Sequence, residues 1–198
     1  MRRLGLAQKI PERSVGDFAV QHFTVTRDQA RLEAVKNPRS RILEGSYTRL
    51  MRGRRVFMSD TPDEWLSNSW IIHVATGDVL VFGLGVGMIL DNLCAKKMVT
   101  SVTVVELHPE VIELVGPHVA HPKLTIVKGD AFTWKPEDDQ RYDVIWFDIW
   151  GDYSTSLLPE MGKLMRRTSH WKRDRRTALV GCWKREELKA EKRRGCMW

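Results

Sequence analysis

A chain of 198 residues with 42% hydrophobic and 29% charged side chains has globular composition, which excludes a disordered or low-complexity protein and allows one core with modest extensions. The net charge of +7 is uneven: residues 161–198 hold 13 Lys and Arg against 4 Asp and Glu, while the remainder holds 19 against 21. Cys94, Cys182 and Cys196 form no CxxC pair, the N-terminus lacks an apolar run, and no apolar stretch reaches membrane length, so a cytoplasmic protein is expected, with no disulfide framework, secretory leader or membrane span.

Residues 1–44 read as a mixed, polar N-terminal extension, with a loop at Asn37-Pro38-Arg39-Ser40. The β-rich residues 47–51 and 55–58 flank Arg52-Gly53-Arg54, a pattern for a short hairpin. Thr61 as N-cap, Pro62 at the first helical position and Glu64 three residues past the cap read as a capping box, opening a helix over 62–73. Residues 78–82 form an apolar run without alternation, the pattern of a strand covered on both faces. A glycine turn follows, then a helix over 88–96. Further strands are predicted at 102–106, 124–128, 142–147 and 177–182, with helices starting near Pro109 and covering 157–171. Five strands alternating with helices predict an α/β fold over residues 45–183: Rossmann-like, doubly wound, on a mostly parallel sheet with right-handed crossovers. Residues 184–198 read as a basic tail. Ligands of such sheets bind beyond the carboxyl ends of the strands, at the topological switch point.

Four motifs fall at those strand ends. Gly83-Leu84-Gly85-Val86-Gly87 follows the first strand of the alternation, where glycines let the backbone turn tightly and approach a ligand. Glu106 closes the second strand 23 positions after Gly83, the place for a carboxylate that accepts hydrogen bonds from ribose hydroxyls. A dinucleotide site wants a third glycine at position 88, where this chain has Met88. The G-x-G-x-G turn therefore suits an adenosyl cofactor with an amino-acid tail, S-adenosylmethionine, over NAD. Gly129-Asp130-Ala131-Phe132 follows the third strand, where Asp130 can accept from an adenine amino group or simply serve the turn. Phe147-Asp148-Ile149-Trp150-Gly151-Asp152 follows the fourth. Asp148 and Asp152 are the candidate catalytic carboxylates, with a loop-capping role as the alternative for Asp148.

In this order the motifs resemble class I S-adenosylmethionine-dependent methyltransferases, and among them the spermidine-synthase-like branch with its small phage-type members, over about residues 45–183. The resemblance implies that Gly83, Leu84, Gly85 and Gly87 wrap the cofactor's amino-acid part. Glu106 and Leu107 would hold the ribose, Asp130 and Ala131 the adenine, and Asp148 would face the acceptor. Spermidine synthases carry an Asp inside the glycine turn where this chain has Val86, and a proline-containing segment after the fourth strand where it has Asp148-Ile149-Trp150-Gly151-Asp152. Methyl transfer to a small-molecule acceptor is accordingly the main expectation. Aminopropyl transfer from decarboxylated S-adenosylmethionine is the alternative. A non-catalytic module contacting nucleic acid through basic residues 163–194 is the second alternative.

His118 and His121, each beside a proline, lack a Cys or carboxylate at metal-ligand spacing, so no metal site is expected; His108 reads as a helix-start residue near the ribose. Trp65, Trp70, Trp150 and Tyr47 are candidates to shape the acceptor pocket. The fifth strand lies close to the end of the chain, so the closing strands of a full sheet are expected to be missing and a homodimer to cover the exposed edge.

Overall fold

The computed structural model describes residues 9–37 and 42–195. Two sheets make the framework. The first is antiparallel, in the order β1 (Arg13–Val15), β2 (Phe18–Val25), β3 (Gly45–Arg52) and β4 (Arg55–Ser59), with α1 (Arg27–Lys36) inserted between β2 and β3. The hairpin expected around Gly53 is β3–β4, with a bulge between Leu50 and Met51. The strands β1 and β2 and helix α1 lie before it, within the stretch read as the N-terminal extension. Asp17 and the left-handed Gly16 form the two-residue β1–β2 turn, and Thr26 and Gln29 make a reciprocal capping box that opens α1. Pro38, Arg39 and Ser40 of the expected loop lie outside the described residues.

The second sheet holds β5 (Gly77–Phe82), β6 (Val99–Glu106), β7 (Leu124–Lys128), β8 (Val144–Phe147) and β9 (Leu179–Cys182), all parallel, in the spatial order β7-β6-β5-β8-β9. The order reverses between β5 and β8, which places the switch point at their carboxyl ends. Helices α2 (Pro62–Val74), α3 (Met88–Cys94), α4 (Pro109–Val115), α5 (Leu158–Arg167) and α6 (Arg185–Gly195) complete the fold. Val79, Leu80, Val81 and Phe82 are all fully buried, because side chains cover β5 from both faces. One core cluster joins Val79 and Val81 to α2, α3 and α4 and to Phe18, Val20 and Leu50 of the antiparallel sheet. The other joins Leu80 and Phe82 to Met161 and Leu164 of α5 and Leu188 of α6.

Several boundaries differ from the sequence reading. The strand expected from 142 regularises only at Val144, with Tyr142 held by an isolated parallel bridge to Lys172. The helix expected over 157–171 is α5 between 3₁₀ turns at Thr155–Leu157 and Ser169–Trp171. Residues 184–198, read as a tail, begin with α6, which packs on α5 and buries Leu188 completely. Among the described residues no helix is long and apolar enough to cross a membrane.

Candidate active site

A cavity of about 340 Å³ opens at the carboxyl ends of β5, β6, β7 and β8, within the usual range for small-molecule sites. Its floor is the glycine turn. Gly83 and Gly85 take φ values of 101° and 53°, the left-handed region where a side chain is strained. A Cβ on Gly83 would also strike the Asp148 carbonyl, and one on Gly85 the Met58 sulfur. The turn thus lets β5 and β8 close together, with Asp148 N–H donating to the Phe82 carbonyl at 2.8 Å. It also lets β4 lay Phe57 and Met58 over the cavity as a roof.

Glu106 is buried at the tip of β6, and both its oxygens are anchored by backbone: Oε2 accepts from Leu84 N–H and Oε1 from His108 N–H, each at 2.8 Å. The carboxylate is thereby fixed in one orientation, with further lone pairs to offer hydroxyl donors. Leu107 and Phe132 stand exposed at the rim, and Ala131 is buried behind them. Asp130 Oδ1 accepts from Phe132 N–H at 2.8 Å, while Arg167 ties the same turn down through the Ala131 and Trp134 carbonyls.

A second group of acids closes the other side. Asp148 and Glu64 both line the cavity, beside Trp150, Glu160 and Trp183. Burial pushes the Asp148 carboxyl up to about 7; the nearby Glu64 charge adds to the rise, while a hydrogen bond from Asn68 and the Lys184 ammonium oppose it. Glu64 is raised as well, again chiefly by burial, with Lys184 acting against it. Each carboxylate therefore raises the proton affinity of its neighbour. Asp148 keeps a partial opening to solvent through the cavity and is enclosed by protein elsewhere. Asn68 links α2 to β8 by accepting from Trp146 Nε1 at 3.1 Å, and Ser67 accepts from Trp183 Nε1 at 2.8 Å. Lys184 is the one non-glycine residue with positive φ among those described, at 50°, and its ammonium lies 4.6 Å from the Trp183 ring centroid.

No protein-family model matches the chain. Over 117 residues it is 32% identical to a polyamine aminopropyltransferase of Leptospira interrogans, a match covering 50% of this chain and 24% of that protein. A polyamine aminopropyltransferase of Hyperthermus butylicus is 25% identical over 162 residues, covering 73% of this chain and 53% of the other. The matched regions thus span from about a quarter to about half of these curated relatives. Among solved structures, spermidine synthase from Thermotoga maritima aligns with 65% of this chain and 46% of its own at 16% identity and a TM-score of 0.48. The strand order, the acid at the tip of β6 and these sequence relatives agree. The chain has a Rossmann-like α/β fold, and its sequence is similar to those of polyamine aminopropyltransferases.

On this fold, Gly83, Gly85, Glu106, Leu107, Asp130, Ala131 and Asp148 come together around one cavity. Leu84 is buried in the core and contributes through its backbone N–H to Glu106. Gly87 starts α3 and faces Val119 and Val115, away from the cavity. Asp152 is exposed and paired with Arg55, which also donates to the Gly151 carbonyl, so it ties the loop after β8 to the β3–β4 hairpin outside the cavity lining. Of the four aromatic candidates only Trp150 lines the cavity, its Nε1 donating to Glu160 at 2.6 Å. Trp70 instead sits half-exposed against Trp146 at a separate cavity, Tyr47 donates to the Leu43 carbonyl, and Trp65 packs on the core. His108 caps α4 and packs on Phe18 at the cavity wall, and His121 accepts from Lys123 N–H.

Glu64, Glu160, Phe57, Met58 and Trp183 were not anticipated. For Glu64 a signal existed and pointed elsewhere. Thr61 makes no capping hydrogen bond; its hydroxyl lies 3.1 Å from Ser59 Oγ, and Glu64 turns toward Asp148 instead of back to the cap. The capping-box reading is corrected accordingly.

Proposed function

We propose that this chain is a group transferase that binds an adenosyl sulfonium and alkylates an amine, with aminopropyl transfer from decarboxylated S-adenosylmethionine ahead of methyl transfer. One observation supports this reading most directly. The cavity is lined by five carboxylates, Glu64, Glu106, Asp130, Asp148 and Glu160, and by no Lys or Arg. Decarboxylated S-adenosylmethionine carries a sulfonium and an ammonium but no carboxylate, and an amine acceptor adds more positive charge. The carboxylated cofactor would bring an anion into an acidic chamber with no cationic side chain on its walls. The sequence relatives, polyamine aminopropyltransferases by name, favour the same choice. Val86 is the observation on the side of methyl transfer. It is fully buried where spermidine synthases place an Asp, so in this reading Glu64 and Asp148 take over the amine.

The residues present fit the cofactor. The anchored Glu106 carboxylate would take the ribose hydroxyls, Asp130 the adenine amino group, and Leu107, Ala131 and Phe132 the ring faces. When bound, the sulfonium supplies an electrophilic carbon with a good leaving group, so positioning and exclusion of water carry the catalysis. Phe57, Met58, Ile149 and Trp150 wall the chamber against water. Asp148 accepts a hydrogen bond from the acceptor amine, and a carboxyl near pH 7 can take up the proton the amine must shed before it attacks. Glu64 holds the positive charge nearby.

Calorimetric titration with the two cofactor forms tests the assignment. Tighter binding of the decarboxylated form, with a propylamine adduct on a di- or polyamine detected by mass spectrometry, is expected. Preference for the carboxylated form with a methylated product would transfer the assignment to methyl transfer. Binding of neither would remove both.

A further inference from the structure

The basic segment that the pocket leaves unused has a definite location in the fold. Helix α5 leaves the carboxyl end of β8 and must return to the amino end of the sheet to start β9. Helix α6 leaves the carboxyl end of β9, touches the 3₁₀ turn that precedes α5, and packs along α5. The two helices therefore descend side by side, and their last turns, with Arg166 on α5 and Lys192, Arg193 and Arg194 on α6, reach the pole opposite the acidic cavity. The loop after α5 lies at the same pole. Lys172 bridges Tyr142 just ahead of β8, and Arg173 is paired with Asp78 and Asp143 at the feet of β5 and β8. With Arg173 turned inward as the anchor, Arg175 and Arg176 are left exposed.

Cations at helix C-termini complement the helix dipole, which accounts for part of this group. It does not account for Arg175 and Arg176, which stand on a loop. None of Arg166, Arg175, Arg176, Lys192, Arg193 and Arg194 pairs with a carboxylate among the described residues. Six exposed cations on three elements thus form no ion pair, although Asp174 shares the loop with Arg175 and Arg176. Five are Arg, whose planar guanidinium matches phosphate oxygens two at a time. A membrane surface fits less well, because it calls for apolar side chains beside the cations, and no large hydrophobic residue is exposed after Tyr153 in the described chain.

We propose that this pole binds the phosphodiester backbone of a nucleic acid, independently of the chemistry in the cavity. The test is fluorescence anisotropy of the full chain with labelled single-stranded RNA and duplex DNA of about 20 nucleotides or base pairs, between about 50 and 200 mM KCl, beside flotation with phosphatidylserine vesicles. Six phosphate contacts predict a slope of log affinity on log salt of roughly −4 to −5. Combining Arg175→Ser, Arg176→Ser, Arg193→Ser and Arg194→Ser should reduce the slope by about 3 and weaken binding at least roughly tenfold. Arg175→Ser with Arg176→Ser alone, confined to a loop, should remove about half of that slope change and guards against a folding defect in the fourfold variant. Binding to either nucleic acid with these losses supports the proposal. Absence of binding at about 50 mM KCl, an unchanged slope in both variants, or binding to the vesicles alone would overturn it.

Discussion

Replacing Asp148 by Asn tests the electrostatics of the cavity without reference to any substrate. The folded chain holds the Asp148 proton up to about pH 7, against an ordinary value of 3.8. A group bound more tightly by protons in the folded state contributes stability that is complete below its unfolded value and is lost as pH rises through the folded one. The parent chain should therefore lose stability between about pH 4 and pH 7–8. The gap between 3.8 and about 7, at about 1.4 kcal/mol for each tenfold change in proton affinity, sets a ceiling near ~4 kcal/mol. The carboxyl keeps some solvent contact and part of its shift comes from the Glu64 charge, so about 2 kcal/mol is the working figure. Asn keeps the size of the side chain and its capacity to bond Asn68, but never ionises. Near pH 4 the two proteins should be equally stable within about 0.5 kcal/mol; at pH 8 Asp148→Asn should be the more stable by about 2 kcal/mol, or roughly 4–8 °C in Tm. Glu64→Gln should move the midpoint of the loss to lower pH, since the Glu64 charge raises Asp148. Urea denaturation at four pH values measures all three. Parallel stability curves for parent and Asp148→Asn across pH 5–8 would refute the reasoning, because they would show that Asp148 ionises as freely in the folded chain as in the unfolded one.

Glu106→Ala should lower adenosyl-cofactor affinity by about two to three orders of magnitude, since each hydrogen bond to a charged group is worth about 1.5–3 kcal/mol, and calorimetric titration reads it. Gly83→Ala should cost about 1–3 kcal/mol in urea denaturation and widen the contact between β5 and β8, because a left-handed φ of 101° and the Asp148 carbonyl both oppose a side chain. Leu188→Ala should cost about 2–5 kcal/mol and raise amide exchange through α6, because Leu188 is the one fully buried anchor of that helix against α5.

The parallel sheet was legible because its signals are local. Val79, Leu80, Val81 and Phe82 form an unbroken apolar run, and Gly83, Glu106, Asp130 and Asp148 each stand directly at a strand end. The antiparallel sheet was harder to see for a physical reason. Along β2 only Phe18 and Val20 are buried, so most of the strand shows a polar pattern like that of a loop. Glu64 illustrates a different limit. Its spacing from Thr61 satisfies a local capping rule, yet the cavity competes for the same side chain, and only the closeness of α2 to the end of β8 decides between them. Asp152 is the converse case. Adjacency in sequence to Asp148 suggested a shared site, but the chain turns at Gly151 and hands Asp152 to Arg55 on the hairpin.

The last two cases connect the two sheets. The β3–β4 hairpin supplies Phe57 and Met58 to the roof, and its Arg55 holds the loop that carries Trp150; α2 follows directly from β4 and brings Glu64 to Asp148. The roof and one acidic wall of the cavity are therefore built by the antiparallel sheet and the helix it launches. Met58 can cross the glycine turn only because Gly85 has no Cβ, so that turn forms the cavity floor and seats its roof at once. The parallel sheet presents Glu106, Asp130 and Asp148 at its strand ends, and the hairpin with α2 adds Phe57, Met58 and Glu64. Choice of acceptor should accordingly follow substitutions in the segment from Arg55 to Asn68, while affinity for the adenosyl group should follow the tips of β5, β6 and β7.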